Sequence, residues 1–211
     1  MRIRDLMSTN VVAVDEETSV RDARKIMEAH KIRRLPVMRR DKLVGLVTER
    51  MLLESGASPA RGLAANASDT RLSRKPVKEL MVRDPYALSP DMPPEEALEI
   101  GQEMGYGGFP VVEDDVIVGM VTESDIVRLM TKVLGVRGGG RRIDLKVSRE
   151  FGSMQRIMGI LDKKKAVLLS LMTFLRPENG EYLIVLRVKG KDAGPIVREL
   201  KKADLNVTYA G

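Results

Sequence analysis

The chain has no cysteine and no tryptophan, and its 211 residues include a single histidine, His30. Without a thiol there is no disulfide, no thiolate metal site and no cysteine nucleophile. One histidine cannot build a two-histidine metal site, and it leaves a Ser–His–acid triad one candidate base. At the end of a predicted helix, His30 suits a helix-terminal cation better than a catalytic base. Aromatics are scarce, four Tyr and three Phe. That is too few for a base-stacking groove on single-stranded nucleic acid. The longest apolar stretches, such as Ala166 to Leu175, fall short of the ~20 residues that cross a bilayer. The first residues, Arg2-Ile3-Arg4-Asp5, form no apolar signal region. The expectation is a cytoplasmic protein with no membrane partner.

What is present describes a globular chain of one or two domains. Hydrophobic residues make up 43% and charged residues 31%, enough apolar material for a core. The formal net charge of +6 invites a nucleic-acid reading. It is unevenly spread, however. Residues 1–75 are net +6, residues 76–135 net −8 and residues 136–211 net +8. Such a split suits basic parts folded against an acidic part, or a local basic pocket.

Shifted by 74 residues, the sequence matches itself without a gap. Leu6-Met7 meets Leu80-Met81, Ala23 meets Ala97, and Pro36-Val37 meets Pro110-Val111. Gly45 meets Gly119, and Val47-Thr48-Glu49 meets Val121-Thr122-Glu123. A period this long is a duplicated unit rather than a solenoid repeat. Each unit begins with an apolar turn (Ile3 to Met7; Val77 to Met81) and a brief strand (Val11 to Val14; Tyr86 to Leu88). A helix follows, with Val20, Ala23, Ile26 and Met27 on one face of the first copy. In the second, Ala97, Ile100, Gly101 and Met104 recur at helical spacing, and Pro93-Pro94 fit its first turn. Two strands come next (Leu35 to Met38 and Leu43 to Val47; Phe109 to Val112 and Val116 to Val121). A closing helix starts at Thr48 or Thr122.

The expected division is a first repeat over 1–60, a linker over 61–75 and a second repeat over 76–134. A Gly-rich linker over 135–142, expected to be flexible, leads to a third part over 143–211. In that part Ile143 to Ser148 suits a strand, and Met154, Ile157, Met158 and Leu161 mark a helix. Val167 to Leu175 and Tyr182 to Val188 suit strands joined by Pro177-Glu178-Asn179-Gly180, a hairpin turn. Ile196, Val197, Leu200 and Ala203 mark a second helix, and Asn206 to Tyr209 a last strand. This order, βαββαβ, is that of ferredoxin-like folds. The fold class is α+β/α/β, two β-α-β-β-α repeats and one βαββαβ domain.

Gly119-Met-Val-Thr122-Glu-Ser-Asp125 joins a strand to a helix. Thr122 is placed to cap that helix, with Asp125 in its first turn. Two readings stand side by side. Thr-x-x-Asp is a plain capping pattern. A carboxylate there also offers two acceptors to the paired hydroxyls of a ribose, beside a helix N-terminus that favours anions.

With Leu35-Pro36-Val37 and Gly45-Leu-Val-Thr48 in one copy, and Phe109-Pro110-Val111 and Gly119 to Asp125 in the other, the duplication resembles a pair of CBS domains, the Bateman module. The resemblance covers about residues 1–134. Residues 143–209 resemble an ACT domain in strand order and in Glu150-Phe151-Gly152-Ser153-Met154. The whole is similar to the CBS–ACT proteins of acetoin-utilisation type. The resemblance implies a regulatory protein, not an enzyme, that binds an adenine nucleotide between its repeats. The ribose side would be Thr122, Ser124 and Asp125. The opposite wall would be Thr9, Asn10, Val12, Ile32, Arg33, Arg34, Leu35 and Pro36, with apolar Val12, Ile32 and Pro36 against the base. Arg33 and Arg34 suit phosphates, through charge-assisted forks. In the second cleft Met51 replaces the ribose carboxylate, so one nucleotide per chain is expected.

The resemblance implies no required cofactor, and Mg²⁺ would accompany the ligand only if that ligand is ATP. A homodimer is the expected assembly, with the ACT-like part dimerising or coupling the signal. That part lacks an Asn in Lys165-Ala166-Val167-Leu168, which argues against amino-acid binding. The alternatives are a basic nucleic-acid-binding regulator, or a subunit sensing another adenosine ligand or an amino acid. The first lacks a helix-turn-helix signal. An enzyme would need a nucleophile–base pair or a metal site, and neither can be assembled from these residues.

Overall fold

The computed structural model describes residues 1–55, 74–148, 152–175 and 180–211. Linker residues 61–73, Glu150-Phe151 and the turn residues Pro177-Glu178-Asn179 lie outside the described residues. The chain divides into two compact units, Met1–Ile126 and Val127–Gly211.

In the first unit the duplication is visible element by element. The first copy runs β1 (Val14–Asp15), α1 (Val20–His30), β2 (Arg34–Arg39), β3 (Lys42–Thr48) and α2 (Glu49–Glu54). The second runs β4 (Val82–Arg83), α3 (Pro94–Met104), β5 (Gly108–Glu113), β6 (Val116–Thr122) and α4 (Glu123–Val133), which continues past the unit boundary. Local chemistry explains the ends. Ser19 caps α1 by accepting from the Asp22 amide. Pro94 opens α3, where its missing N–H costs nothing. Both hairpins turn on two residues with left-handed backbone, Arg40-Asp41 and Asp114-Asp115, as the twist of a two-residue loop requires.

The opening strands are shorter than the sequence pattern suggests. Of Val11 to Val14, only Val14 joins a strand. Tyr86 to Leu88 forms none, and Leu88 makes a single parallel bridge to Val111. The reason is that each lead-in pairs across the duplication. Ser8 exchanges backbone hydrogen bonds of 2.8 and 2.9 Å with Met120. At the equivalent place β4 pairs with β3, Leu46 facing Val82. Ile3 lies in the second repeat's core with Phe109, Val111 and Val121. Val77 and Met81 lie in the first repeat's core with Val37 and Val47. A sequence repeat is therefore not a packing unit, because each donates its apolar turn to the other.

Two glycines permit this exchange. A Cβ at Gly119 would come within 2.6 Å of Met7 Sδ and 3.1 Å of the Ser8 carbonyl. One at Gly45 would overlap Met81 Sδ and meet the Val82 carbonyl at 3.1 Å. Charge follows the same crossing. Arg2 and Arg4 pair with Asp91 at 2.8 Å, and Lys78 pairs with Glu17. Part of the basic excess of residues 1–75 thus rests against the acidic segment.

The second unit contains β7 (Arg141–Val147), α5 (Ser153–Lys163), β8 (Leu168–Leu175), β9 (Tyr182–Val188), α6 (Gly194–Lys202) and β10 (Asn206–Ala210). Its sheet order is β10-β7-β9-β8, and every pairing is antiparallel. Strand alternation sends Ile143, Leu145 and Val147 into a core with Ile157, Leu161 and Leu200. Within 135–142 the chain forms a 3₁₀ turn, Val136–Gly138, flanked by Gly135 and Gly139 in left-handed backbone. The first strand starts at Arg141, two residues before the apolar pattern begins. No helix among the described residues is long and apolar enough to cross a membrane.

Candidate functional site

Each repeat ends its second hairpin strand in a threonine that starts a helix. Thr48 Oγ1 accepts from the Met51 amide at 3.3 Å. Thr122 Oγ1 accepts from the Asp125 amide at 3.3 Å, and Asp125 Oδ2 accepts from the Thr122 amide at 3.0 Å and its hydroxyl at 2.6 Å. This is a complete capping box. The capping alternative for the Thr122–Asp125 spacing is thus realised.

Beside each threonine runs the start of the neighbouring strand. Arg34 faces Thr48, and Gly108 faces Thr122. The Glu49 amide donates to the Arg33 carbonyl at 2.9 Å, and the Glu123 amide to the Gly107 carbonyl at 3.2 Å. These matching pieces line one cleft of about 580 Å³. The 74-residue shift relates its walls in pairs: Arg33 with Gly107, Arg34 with Gly108, Glu49 with Glu123, and Arg50 with Ser124.

The pairs are unlike in chemistry. Where the first repeat has Arg33-Arg34, the second has Gly107-Gly108. The space left by the glycines is taken by Arg34. A Cβ at Gly107 would overlap Arg34 Nη2, and one at Gly108 would sit 3.2 Å from its Cδ and Nε. Burial lowers the Arg34 pKa, the neighbouring Arg33 charge lowers it further, and Glu123 acts the other way. The guanidinium still stays charged at neutral pH. Among the described residues, no carboxylate forms an ion pair with Arg33 or Arg34. A half-buried, unpaired guanidinium is costly, and an anion in the cleft would relieve that cost.

Of the expected site residues, the structure brings Arg33, Arg34 and Ser124 into this cleft, together with Thr48 and Met51, the residues expected to line the cleft without a ribose carboxylate. Thr9 and Asn10 are exposed, just after the Ser8–Met120 bridge. Val12 and Ile32 pack against the first repeat's core. Leu35 is fully buried there, and Pro36 is buried in β2 opposite Leu46. Thr122 and Asp125 are joined in the cap. Sequence reasoning passed over Glu49 and Glu123, which line the cleft at equivalent positions. The repeat register held that signal, since both follow a capping threonine.

The fold and cleft define a duplicated module whose two copies line one cleft with equivalent positions. A CBS domain model matches residues 3–58 and 77–132, and the chain belongs to the CBS domain family. It is 35% identical over 135 residues to an A-adding tRNA nucleotidyltransferase of Aquifex aeolicus, covering 64% of this chain but 15% of that protein. It is 32% identical to a CBS domain-containing protein of Dictyostelium discoideum, covering 63% of this chain and 92% of the other. An inosine-5′-monophosphate dehydrogenase of Korarchaeum cryptofilum is matched over 23% of its length, at 33% identity and over 59% of this chain. The chain thus spans only a minor part of the two enzymes. Among solved structures, it resembles the CBS domain pair of protein MJ0100 in complex with 5′-methylthioadenosine and S-adenosyl-L-methionine (TM-score 0.52, 26% identity, 62% of this chain and 95% of that one). CBSX2 in complex with AMP is similar (TM-score 0.52, 26% identity, 63% and 97%). So is a candidate acetoin utilization protein (AcuB) from Vibrio cholerae (TM-score 0.53, 27% identity, 65% and 96%).

Proposed function

We propose that this chain is a regulatory sensor whose cleft takes an adenine nucleotide of the AMP, ADP or ATP type, its phosphate held by Arg33 and Arg34. The observation that carries this is Arg34, a half-buried guanidinium facing the cleft that forms no ion pair with a carboxylate among the described residues. The bound AMP of CBSX2 and the adenosine compounds on the MJ0100 pair support the ligand class. Chemistry on the ligand is not part of the role. No resident cofactor is needed, and Mg²⁺ enters only with ATP. The second unit, with its βαββαβ order and antiparallel sheet, acts as an ACT-like, ferredoxin-like domain that pairs two chains into a homodimer or couples binding to a partner. The protein works in the cytoplasm. Binding shifts its conformational equilibrium only through unequal affinity for two states.

A thermal-shift series with adenosine, AMP, ADP and ATP tests the phosphate's role. AMP should stabilise the protein at concentrations at least tenfold below those adenosine needs, because a hydrogen bond to a charged group is worth about 1.5–3 kcal/mol. Equal action of adenosine and AMP would contradict the assignment, as would no shift with any of the four.

A further inference from the structure

The duplication also shows where side chains are missing. Between α3 and α4 the second repeat holds a pocket of about 360 Å³, within the range of small-molecule sites. Three of its lining residues are glycines, Gly101, Gly105 and Gly107. At the matching positions the first repeat carries Met27, Lys31 and Arg33. Met27 is 2% exposed and fills the first repeat's core beside Leu35 and Leu52. At Gly101 a side chain has no such room. A Cβ there would lie 2.9 Å from the Tyr106 carbonyl, yet the pocket stays open.

Its walls are chosen for a flat ring. Tyr106 and Phe109 lie with ring centroids 5.7 Å apart, tilted by 45°, and Ile126 is 1% exposed at its base. Gln102, exposed on α3, adds an amide that can both donate and accept. The pocket adjoins the cleft: Gly105, Tyr106, Gly107 and Glu123 line both. Arg34 reaches Gly107 from the cleft side. Val12, Ile32 and Pro36, the slot expected from the first repeat, are the competing place for the base; Val12 and Ile32 pack against their core as Tyr106 does against the second repeat's.

We infer that the second-repeat pocket takes the heteroaromatic base of a phosphorylated ligand whose phosphate sits on Arg33 and Arg34. The inference rests on the nucleotide reading and fixes its orientation. The base lies against Tyr106 and Phe109, its edge meets Gln102, and Glu123 stands where the sugar hydroxyls pass from pocket to cleft. Offset or edge contacts with the two rings supply the attraction.

The test uses the full chain with AMP, and ribose 5-phosphate as a probe that lacks the base. With few aromatics, the Tyr106 and Phe109 ring protons are readily assigned. Nuclear Overhauser effects from AMP H2 and H8 to those rings are expected. Gln102→Trp blocks the mouth from an exposed helix position. It should weaken AMP at least tenfold and leave ribose 5-phosphate within twofold. Contacts from the base to Val12 and Ile32 methyls, with AMP affinity unchanged in Gln102→Trp, would overturn the orientation and leave the nucleotide reading standing. Failure of both AMP and ribose 5-phosphate to bind the unmodified chain would remove both.

Discussion

The two repeats share a fold and differ in what fills it. The first is packed, with Met27 in its core, and it extends two arginines towards its twin. The second carries glycines at 101, 105, 107 and 108, and Arg34 lodges against the last two. Duplication supplies two copies of one scaffold. Glycines in one copy and arginines at the matching places in the other make the seam between them a directional cleft.

Making the first repeat resemble the second is the severest way to break this comparison. Met27→Gly should cost about 3–5 kcal/mol in urea denaturation, from a core cavity plus the backbone entropy of a helical glycine. The converse, Gly101→Met, should not recover that amount. Its Cβ meets the Tyr106 carbonyl, so a loss of about 1–3 kcal/mol is expected. A clear gain in stability from Gly101→Met would show that the pocket is merely unfilled core.

The caps sharpen the contrast at a smaller scale. Asp125→Ala breaks the capping box and should cost about 1 kcal/mol, again read from urea midpoints. Met51, at the matching place, contributes only its amide to Thr48, and Met51→Ala should change the cap little.

Smallest of all are the crossing ion pairs. The hydrogen bond from Arg2 holds the Asp91 carboxyl below its ordinary range, with Arg4 adding to it. Within the first repeat, the hydrogen bond from Arg39 does the same for Glu16. A depressed carboxyl pKa means stability that is present above the unfolded value, near ~4, and lost as pH falls through the lower folded value. Denaturation midpoints should therefore drop from pH 5 to pH 3. Salt at 1 M should shrink that drop, most of all the Asp91 part, because that carboxylate and its arginines are exposed and screened.

Much of this was legible in the sequence. The ungapped 74-residue shift located both repeats. Helical spacing at Val20, Ala23 and Met27 found α1, and strand alternation at Ile143, Leu145 and Val147 found β7. The short lead-ins were not legible. Apolar runs such as Val11 to Val14 carry periodicity but not partner choice, and Ser8 pairs with Met120 across the duplication. At the site, Arg33 and Arg34 were named through the resemblance, and both line the cleft. The fate of Thr122 and Asp125 was not, since one spacing serves a cap and a ligand equally. The glycine pocket needed the structure, because a glycine's effect depends on which atoms close around it.

The central claim is that one repeat's Arg34, lodged against the other's glycines, makes the cleft a single anion-reading site. Isothermal titration of AMP into the protein and its Arg34→Ala variant tests it most directly. One AMP per chain is expected, with affinity falling ten- to a hundredfold in the variant. Two equal sites per chain, or an affinity that Arg34→Ala leaves unchanged, would contradict it.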